Sequence, residues 1–562
     1  MKKKINLFLF IITLFFSVKL SSVPLNSQIQ PEPSSKFQKN KLSSNYKDFV
    51  IVTANEFATE AGYRILNMGG NAVDAAVTIQ FILGLVEPQS SGLGGGSFIT
   101  YYDRETKRIL SYEGRERAPM EIDESVFLDD KDKPKKFWDA VLGGSSVGVP
   151  GTLKVFFQIH EKFGQLSWGE VLKPAYELAQ KGFIPPARLK NAVKKERFLF
   201  DIDGNSIFKR ILKSPNKKFS NYEYAEIVKK ISTQPNIFYT GEIAKKIVRV
   251  VQNSSNPGKL SLEDMKSYKP VIQDAFCYIL ESGYKICGPN LPSSGTICII
   301  QGLILFEDII KKRKRELKNI SEFPLNDVLE IMDFIYSLRS KYLGDNEFID
   351  IDILSLLQKD FLVKNLKIHR QEKDFTEIKN INEYLNSTTH FSVIDGEKNI
   401  ISSTSSIESS FGSRLTVSGF FLNNQLTDFS FKSYDKEGEL LPNRPQGGKR
   451  PLSSMAPLIV FDENNKFLLT IGSPGGKAII SYILRVLIDI LYFDENPESS
   501  INKPNYISIN GNIFLENGYE DSDLENQFRF RSLTSGLAII QSRDGQLIGA
   551  VDKRRDGSVL GY

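Results

Sequence analysis

Hydroxyl side chains are concentrated between Ser387 and Gly412, in the sequence STTHFSVIDGEKNIISSTSSIESSFG. Apolar and polar residues alternate after Thr388, and a turn at Asp395-Gly396 would return the chain in the opposite direction, which predicts a β-hairpin. Thr404 and Ser406 lie two positions apart on the returning strand, so their side chains share one face. We therefore expect several hydroxyl groups to meet close to Thr388.

A threonine hydroxyl is a weak nucleophile unless a base removes its proton. The chain has only three histidines, so a Ser-His-Asp arrangement is hard to build, although His390 keeps it possible. The other known solution is a threonine at a chain N-terminus, whose own α-amino group, with a pKa of about 8 in peptides, serves as the base. That solution requires a cut before Thr388. Taken alone, the segment also fits an ordinary hairpin rich in serine and threonine.

Two glycines near the C-terminal end add a second element of this chemistry. The segment 471–477, IGSPGGK, follows an apolar run and leads into a helical pattern over 478–491. A strand that passes into a helix through glycines presents free backbone N–H groups, which can hold developing negative charge. The pattern predicts an oxyanion hole at Gly475 and Gly476.

Further polar groups lie between these two segments. Ser453 and Ser454, in KRPLSSMAP, supply paired hydroxyl donors. Gln425 and Asp428, in NNQLTDFS, are able to hold an ammonium group.

The order of these motifs resembles the small subunit of the γ-glutamyltranspeptidases, a family of N-terminal nucleophile hydrolases. Five earlier segments resemble the large subunit: NMGGNAVDAA at 67–76, VEPQSSGLGGGSF at 86–98, GRERAP at 114–119, GVPGT at 148–152 and LPSSGT at 291–296. The similarity runs from about residue 48 to Tyr562, through several independent motifs, so chance explains it poorly.

The resemblance implies a role for each matching residue. Thr388 would be the nucleophile, freed by self-cleavage of the Ser387–Thr388 bond. Thr404 and Ser406 would contact its hydroxyl or amine. The remaining implied roles are backbone donors to the tetrahedral intermediate at Gly475 and Gly476, contacts to the substrate α-carboxylate from Arg115, Ser453 and Ser454, and contacts to its α-ammonium from Glu408, Gln425 and Asp428.

The implied reaction is a two-step acyl transfer. Thr388 attacks the γ-amide of glutathione or a related γ-glutamyl compound, and water or an amino acid or peptide acceptor then takes the acyl group. A γ-glutamyl group carries both charges of a free amino acid, so its site needs a fixed cation and a fixed anion, and arginine suits a carboxylate. A related acylase acting on another amide, such as a glutaryl amide, and a non-catalytic homologue remain as alternatives.

This sequence departs from the family pattern at positions that should affect the choice of acceptor more than the catalytic step. Ser406 stands where threonine is common, Glu408 stands where relatives have asparagine or glutamate, and Thr427 replaces the first residue of a frequent Asp-Asp pair. We expect catalysis to survive all three changes. The segment 429–449, where the family often carries a lid, is rather short and polar here. Unless Tyr434 acts as a latch, the pocket should stay open and favour hydrolysis over transpeptidation.

The resemblance implies an α+β fold, a four-layer αββα sandwich built from two subunits cut from one precursor. Helical patterns dominate before the cut and strands dominate after it. We expect a signal peptide at 1–22, a disordered lead-in at 23–47, a large subunit at 48–387 and a small catalytic subunit at 388–562, the last two forming a heterodimer.

Composition fits an exported enzyme. The chain has 562 residues, 41% of them hydrophobic, and a net charge of +5, which argues against nucleic acid as a partner. The N-terminal apolar stretch predicts a periplasmic or extracellular location, with an uncleaved membrane anchor as the alternative. No cofactor or metal is implied. We expect Cys277, Cys287 and Cys298 to be free thiols, although the first two flank a predicted turn and could pair.

Overall fold

A computed structural model of the chain describes residues 43–196, 198–199, 205–316, 324–372, 387–518, 529–530 and 533–562. The expected signal peptide and most of the expected lead-in lie outside these residues. The last part of the lead-in does not fit the prediction of disorder, because Ser43–Tyr46 forms a strand paired with residues 547–550. Backbone pairing with a neighbouring strand, which composition does not reveal, orders this polar segment.

Nineteen strands lie in the described part of the chain. They are β1 (Ser43–Tyr46), β2 (Val50–Thr53), β3 (Gly96–Tyr102), β4 (Ile109–Gly114), β5 (Val271–Asp274), β6 (Phe276–Ile279), β7 (Lys285–Gly288), β8 (Ser387–Ile394), β9 (Ile400–Glu408), β10 (Thr416–Val417), β11 (Phe420–Phe421), β12 (Leu458–Phe461), β13 (Phe467–Gly472), β14 (Tyr506–Ile509), β15 (Asn512–Leu515), β16 (Arg529–Phe530), β17 (Ala538–Arg543), β18 (Gln546–Val551) and β19 (Ser558–Gly561).

Sixteen α-helices accompany them over the same residues. They are α1 (Glu56–Asn67), α2 (Ala72–Val86), α3 (Phe137–Val141), α4 (Thr152–Phe163), α5 (Trp168–Lys181), α6 (Ala187–Lys195), α7 (Lys209–Lys213), α8 (Tyr222–Thr233), α9 (Ile237–Thr240), α10 (Glu242–Gln252), α11 (Leu262–Ser267), α12 (Gly295–Glu316), α13 (Leu325–Tyr342), α14 (Lys359–Glu372), α15 (Ile479–Phe493) and α16 (Pro497–Asn502).

Two seven-stranded antiparallel sheets form the centre of the fold. The first has the order β19-β2-β8-β9-β3-β4-β5, and the second has the order β1-β18-β17-β13-β12-β7-β6. Alternating side chains divide each strand between two cores. In β2, Ile51 packs with α1 and α2, whereas Val50 and Val52 face residues of the second sheet such as Ile540. Each sheet thus carries helices on its outer face and meets the other sheet on its inner face.

The outer layers confirm the predicted αββα sandwich. Helices α1, α2 and α4 pack against the first sheet, with α5, α8 and α10 in the same core. Helices α12 and α15 pack against the second sheet, with α13 in the same core. Helix α2 is buried along its whole length and begins with a capping box, in which Asn71 and Asp74 bond each other's backbone N–H groups. Fourteen of the sixteen helices in the described residues precede residue 388 and twelve of the nineteen strands begin at or after residue 387, as the sequence pattern predicts.

The prediction of three free thiols is wrong for two of them. Cys277 and Cys287 form a disulfide, while Cys298 is free and buried. The two paired residues lie directly opposite each other on β6 and β7, with Cα atoms 4.2 Å apart. The pairing register of β6 and β7 brings the two sulfurs together, and this register cannot be read from the sequence.

No helix in the described residues is both long and apolar enough to cross a lipid bilayer. The same residues contain no cluster of three histidine, cysteine or acidic side chains suited to a metal ion.

Candidate active site

The predicted nucleophile lies at the start of β8, between two strands of the first sheet. Thr388 is directly opposite Ser406 on β9 and is only 2% exposed. Its Oγ1 donates a hydrogen bond to Ser406 Oγ over 3.3 Å. The alternation of residues along both strands therefore brings these two hydroxyl groups together, as predicted.

The bond expected to be cut lies at an irregularity in this strand pair. Ser387 is opposite Glu408, whereas Thr388 is opposite Ser406, so β9 contains one extra residue at Ile407. Glu408 has a φ of 77°, in the left-handed region that few residues other than glycine adopt. The bulge turns Ser406 Oγ toward the Ser387 carbonyl oxygen, to which it donates over 2.8 Å. Ser406 therefore contacts both the attacking hydroxyl and the carbonyl that it would attack.

Thr404 has a different neighbour from the one expected. It lies opposite His390, and its Oγ1 is 2.9 Å from His390 Nδ1. The other ring nitrogen lies 3.2 Å from Ser392 Oγ. Burial lowers the pKa of His390 to about 3, so the imidazole is neutral. Within the described residues neither Thr404 nor His390 hydrogen-bonds Thr388, which leaves the nucleophile without a histidine base.

A small cavity, of about 330 Å³ including its opening to solvent, lies beside Thr388. Nearly all of the predicted site residues line it, from both sides of the expected cut: Arg115, Thr388, Ser406, Glu408, Gln425, Asp428, Ser453, Ser454 and Gly476. Thr404 and Gly475 do not line the cavity. Each is close in sequence to a residue that does, Thr404 to Ser406 and Gly475 to Gly476.

The predicted cation and anion of this cavity bind each other. Arg115 is fully buried, and its Nη2 donates to Asp428 Oδ2 over 2.7 Å. The same oxygen accepts from Gln425 Nε2 over 2.6 Å. Nε and Nη2 of Arg115 also donate to the carbonyl oxygens of Pro451 and Leu452, at 2.9 and 3.1 Å, and Nη1 donates to Glu116 Oε2 over 3.5 Å. This arrangement fixes one positive and one negative group side by side, which suits a zwitterionic ligand.

Glu408 is a second buried carboxylate on the same side of the cavity. Its Oε2 accepts hydrogen bonds from Ser409 Oγ, over 2.5 Å, and from Asn424 Nδ2. Burial, together with the nearby charge of Asp428, raises the pKa of Glu408 to about 7. Its charge therefore changes close to neutral pH.

The glycine segment connects a strand to a helix, as the sequence predicts. Strand β13 ends at Gly472, and a turn of 3₁₀-helix at Gly476–Ala478 leads into α15. Gly475 has a φ of 137°, and a Cβ atom there would lie 2.7 Å from the ring of Tyr482. Only glycine fits this turn without displacing the backbone.

The γ-glutamyltranspeptidase sequence model matches residues 58–562. The chain belongs to this family. A glutathione hydrolase proenzyme of Bacillus subtilis (strain 168) is 31% identical over 98% of each chain. The corresponding proenzyme of Escherichia coli (strain K12) is 30% identical over 92% of each chain.

Solved structures agree with this assignment. A γ-glutamyltranspeptidase from Pseudomonas nitroreducens, complexed with L-DON, superposes with a TM-score of 0.51 at 26% identity, covering 58% of this chain and 94% of that one. A cephalosporin acylase from Bacillus halodurans superposes with a TM-score of 0.77, covering 94% and 98%, but at 20% identity it supports the N-terminal nucleophile hydrolase fold alone.

Two arginines of this γ-glutamyltranspeptidase site escaped sequence reasoning. Arg339, on α13, lines the cavity, and its Nε donates to Ser294 Oγ over 2.8 Å. Arg555 donates from Nη1 to the Thr388 carbonyl oxygen over 3.1 Å. Neither belongs to a motif that marks it. In the sequence both look like ordinary surface arginines.

The segment 429–449, where the family often carries a lid, borders a second cavity. Tyr434 is 54% exposed, forms an isolated bridge with Leu440 and is not among the described residues that line the cavity beside Thr388. Residues of this segment instead line the second cavity, of about 1290 Å³ including its mouth, which adjoins the first.

Proposed function

We propose that this protein is a γ-glutamyl hydrolase and transpeptidase that cleaves the γ-glutamyl amide of glutathione and related compounds. The observation that carries the proposal is the position of Thr388 in a cavity that also contains the Arg115–Asp428–Gln425 cluster. A nucleophile beside a fixed pair of opposite charges suits a substrate with both α-charges of an amino acid. A glutaryl amide has no α-ammonium and would leave Asp428 and Glu408 without a ligand.

The first step under this proposal is self-cleavage before Thr388. Its Oγ1 attacks the Ser387 carbonyl carbon, and the hydroxyl proton passes by way of Ser406 to the Thr388 nitrogen as the C–N bond breaks. The Ser387 acyl group moves from nitrogen to oxygen as an ester, and water then hydrolyses this ester. The hydrogen bonds from Thr388 to Ser406 and from Ser406 to the Ser387 carbonyl oxygen support this route. The products are a large subunit, 48–387, and a small subunit, 388–562.

The freed amine of Thr388 then acts as the base for catalysis. Because His390 is neutral and bonded elsewhere, the α-amino group is the nearest basic group to its own hydroxyl. Thr388 Oγ1 attacks the γ-carbonyl carbon, and backbone N–H groups at Gly475 and Gly476 stabilise the oxyanion. The amine leaves with a proton, and a γ-glutamyl ester remains on Thr388.

Substrate recognition uses both sides of the cavity. Arg115, Ser453 and Ser454 hold the α-carboxylate. The α-ammonium contacts Glu408, Gln425 and Asp428.

The open second cavity favours water as the final acceptor, so hydrolysis exceeds transpeptidation under this proposal. The apolar stretch near the N-terminus supports export to the periplasm or the cell exterior.

The test is intact mass and N-terminal sequence of the purified protein, together with hydrolysis of a chromogenic γ-glutamyl anilide. Wild type should split before Thr388 and release the anilide. Thr388→Ala should stay whole and inactive, while Thr388→Ser should retain partial splitting because it keeps a hydroxyl. An unsplit but active wild type would reject the N-terminal nucleophile. Splitting with activity on a glutaryl anilide only would reject the γ-glutamyl specificity.

A further inference from the structure

A buried serine far away in the chain contacts the residue that precedes the expected cut. Ser387 Oγ donates a hydrogen bond to Ser90 Oγ over 3.1 Å, and both residues are fully buried. Ser90 lies on the segment between α2 and β3 and does not line the cavity beside Thr388. The fold therefore places a hydroxyl group from outside the cavity on the N-terminal side of the bond that the proposed function breaks.

Arg188, at the start of α6, also donates to this serine. Its Nη2 lies 2.9 Å from Ser90 Oγ, and its Nη1 forms an ion pair with Glu87 Oε1 at 2.9 Å. The side chains of Arg188 and Glu87 are each only 1% exposed. Because the planar guanidinium meets two buried partners at once, it has little freedom to move. Ser90 Oγ is therefore held at a fixed position.

The backbone of Ser90 contacts the bulge in β9. The Ile407 N–H donates to the Ser90 carbonyl oxygen over 3.3 Å. Ile407 is the extra residue of the bulge that turns Ser406 toward the Ser387 carbonyl oxygen. Ser90 thus contacts Ser387 through its side chain and the bulge through its carbonyl group, so it connects the two strands where the attacking hydroxyl and the bond to be cut must meet.

Two other hydrogen bonds hold the backbone around the expected cut. Arg555 Nη1 donates to the Thr388 carbonyl oxygen over 3.1 Å, and Ser406 Oγ donates to the Ser387 carbonyl oxygen over 2.8 Å. Both bonds are made to carbonyl oxygens, whereas the Ser90 hydroxyl holds the Ser387 side chain. Attack by Thr388 Oγ1 requires the Ser387 carbonyl carbon at close range and in the correct orientation, and small displacements of reacting atoms slow a reaction strongly.

We infer that Ser90 is a positioning residue for self-cleavage, which holds Ser387 so that its carbonyl carbon stays within reach of the Thr388 hydroxyl. The inference rests on the proposed self-cleavage before Thr388 and adds to it a residue outside the cavity. Ser90 takes no part in the proton transfer and acts only through Ser387. Its effect should therefore fall on the rate of the cut and should depend on the Ser387 hydroxyl.

A double-mutant cycle on the full-length chain tests this role. Ser90→Ala, Ser387→Ala and the double variant are made by cell-free translation, and the fraction of split chain is followed against time by intact mass. Ser90→Ala should slow the cut about 5- to 20-fold, the effect of losing one buried hydrogen bond close to the reacting atoms. Ser387→Ala should slow it by a similar factor, and the double variant should be within about twofold of either single variant, because both remove the same contact.

Ser91→Ala is the matched control. Ser91 is the next residue in the chain and is only 2% exposed, but its Oγ has no hydrogen-bond partner among the described residues. The substitution removes the same atom from the same buried segment, so the cut should proceed at the wild-type rate. Thermal unfolding of the same substitutions in the uncut Thr388→Ala chain checks that each variant folds. If Ser90→Ala does not fold, Ser387→Ala still tests the contact, since it removes the other hydroxyl of the pair.

A cut at the wild-type rate in Ser90→Ala or in Ser387→Ala would overturn the inference while leaving the proposed function intact. The same would follow if Ser90→Ala slowed the cut equally with and without the Ser387 hydroxyl, or no more than Ser91→Ala does. A wild-type chain that is never cut before Thr388 would contradict the proposed self-cleavage, and the inference with it.

Discussion

Ser406 touches three partners with one hydroxyl group. It accepts from Thr388 Oγ1 and from the Glu408 backbone N–H, and it donates to the Ser387 carbonyl oxygen. This position makes it the natural carrier of the proton during self-cleavage. It also explains why serine serves here as well as threonine, since only the hydroxyl is used.

Ser406→Ala should slow self-cleavage by about 100-fold or more, because it removes the donor to the oxygen on which negative charge develops. The measurement is the fraction of split chain against time, by intact mass. Ser406→Thr should restore the rate. Ser405→Ala is the matched control, because Ser405 faces the other side of β9 and bonds Gln80 Oε1. Equal rates in Ser406→Ala and Ser405→Ala would exclude the relay.

Binding of the γ-glutamyl donor should depend on pH through the ionisation of Glu408. Its pKa is raised to about 7, so the carboxylate that we propose holds the substrate ammonium is present above that pH and lost below it. The α-amino base of Thr388, with a pKa of about 8 in peptides, must also lose its proton. Log kcat/KM should therefore rise with a slope of about two below pH 7, because two groups must be deprotonated.

Glu408→Gln should lower kcat/KM roughly 10- to 100-fold at high pH, the loss of one charged hydrogen bond. Its acid limb should have a slope of about one, because only the amine still titrates. The measurement is the slope of the acid limb in the pH–rate profiles of wild type and Glu408→Gln on the same γ-glutamyl anilide. A slope of two in the variant would show that Glu408 is not the second group.

The turn between β13 and α15 carries the backbone N–H groups of the proposed oxyanion hole. Gly475→Ala would place a Cβ atom 2.7 Å from the Tyr482 ring at a φ of 137°. The backbone N–H groups must then shift, and kcat should fall about 10²- to 10³-fold. Gly545→Ala is the control, since Gly545 has a φ of 75° at a hairpin turn with open space around it. Steady-state kinetics and thermal unfolding of both variants separate lost catalysis from backbone strain.

Period-two alternation was enough to predict the β8–β9 hairpin and to put Thr388 and Ser406 on one face. It did not predict the bulge at Ile407 or the partner of Thr404, because both depend on the register that the turn and the neighbouring strands impose. Arg339 was missed for a related reason. The helix α13 is readable from its sequence, but the face that it turns toward the cavity depends on its packing against α12 and β14.

At the scale of the whole molecule, the first sheet interleaves the two expected subunits. β19, β8 and β9 belong to the small subunit, whereas β2, β3, β4 and β5 belong to the large one. β2 lies between β19 and β8, with hydrogen-bonded partners on both sides. The subunits therefore cannot separate without breaking the sheet, so the cut chain should remain one folded body.

A buried charge network adds to this attachment. Arg450 of the small subunit pairs with Glu113 at 3.0 Å and Asp345 at 2.6 Å, both of the large subunit. Arg450→Met would leave both carboxylates buried without their cation and should cost about 3–5 kcal/mol. Arg444→Met, which removes the more exposed pair with Glu124, should cost less than about 1 kcal/mol. Thermal unfolding and co-elution of the subunits measure both. Similar losses in the two variants would contradict a special role for the Arg450 network.

Under the proposed function Thr388 itself carries the γ-glutamyl group during turnover. A rapid acid quench of the enzyme during turnover of a γ-glutamyl donor, followed by peptide mass spectrometry, tests this. The peptide beginning at Thr388 should gain one γ-glutamyl group, and Thr388→Ala should gain none. Turnover with the adduct on any other residue, or a peptide that still continues upstream of Thr388, would contradict it.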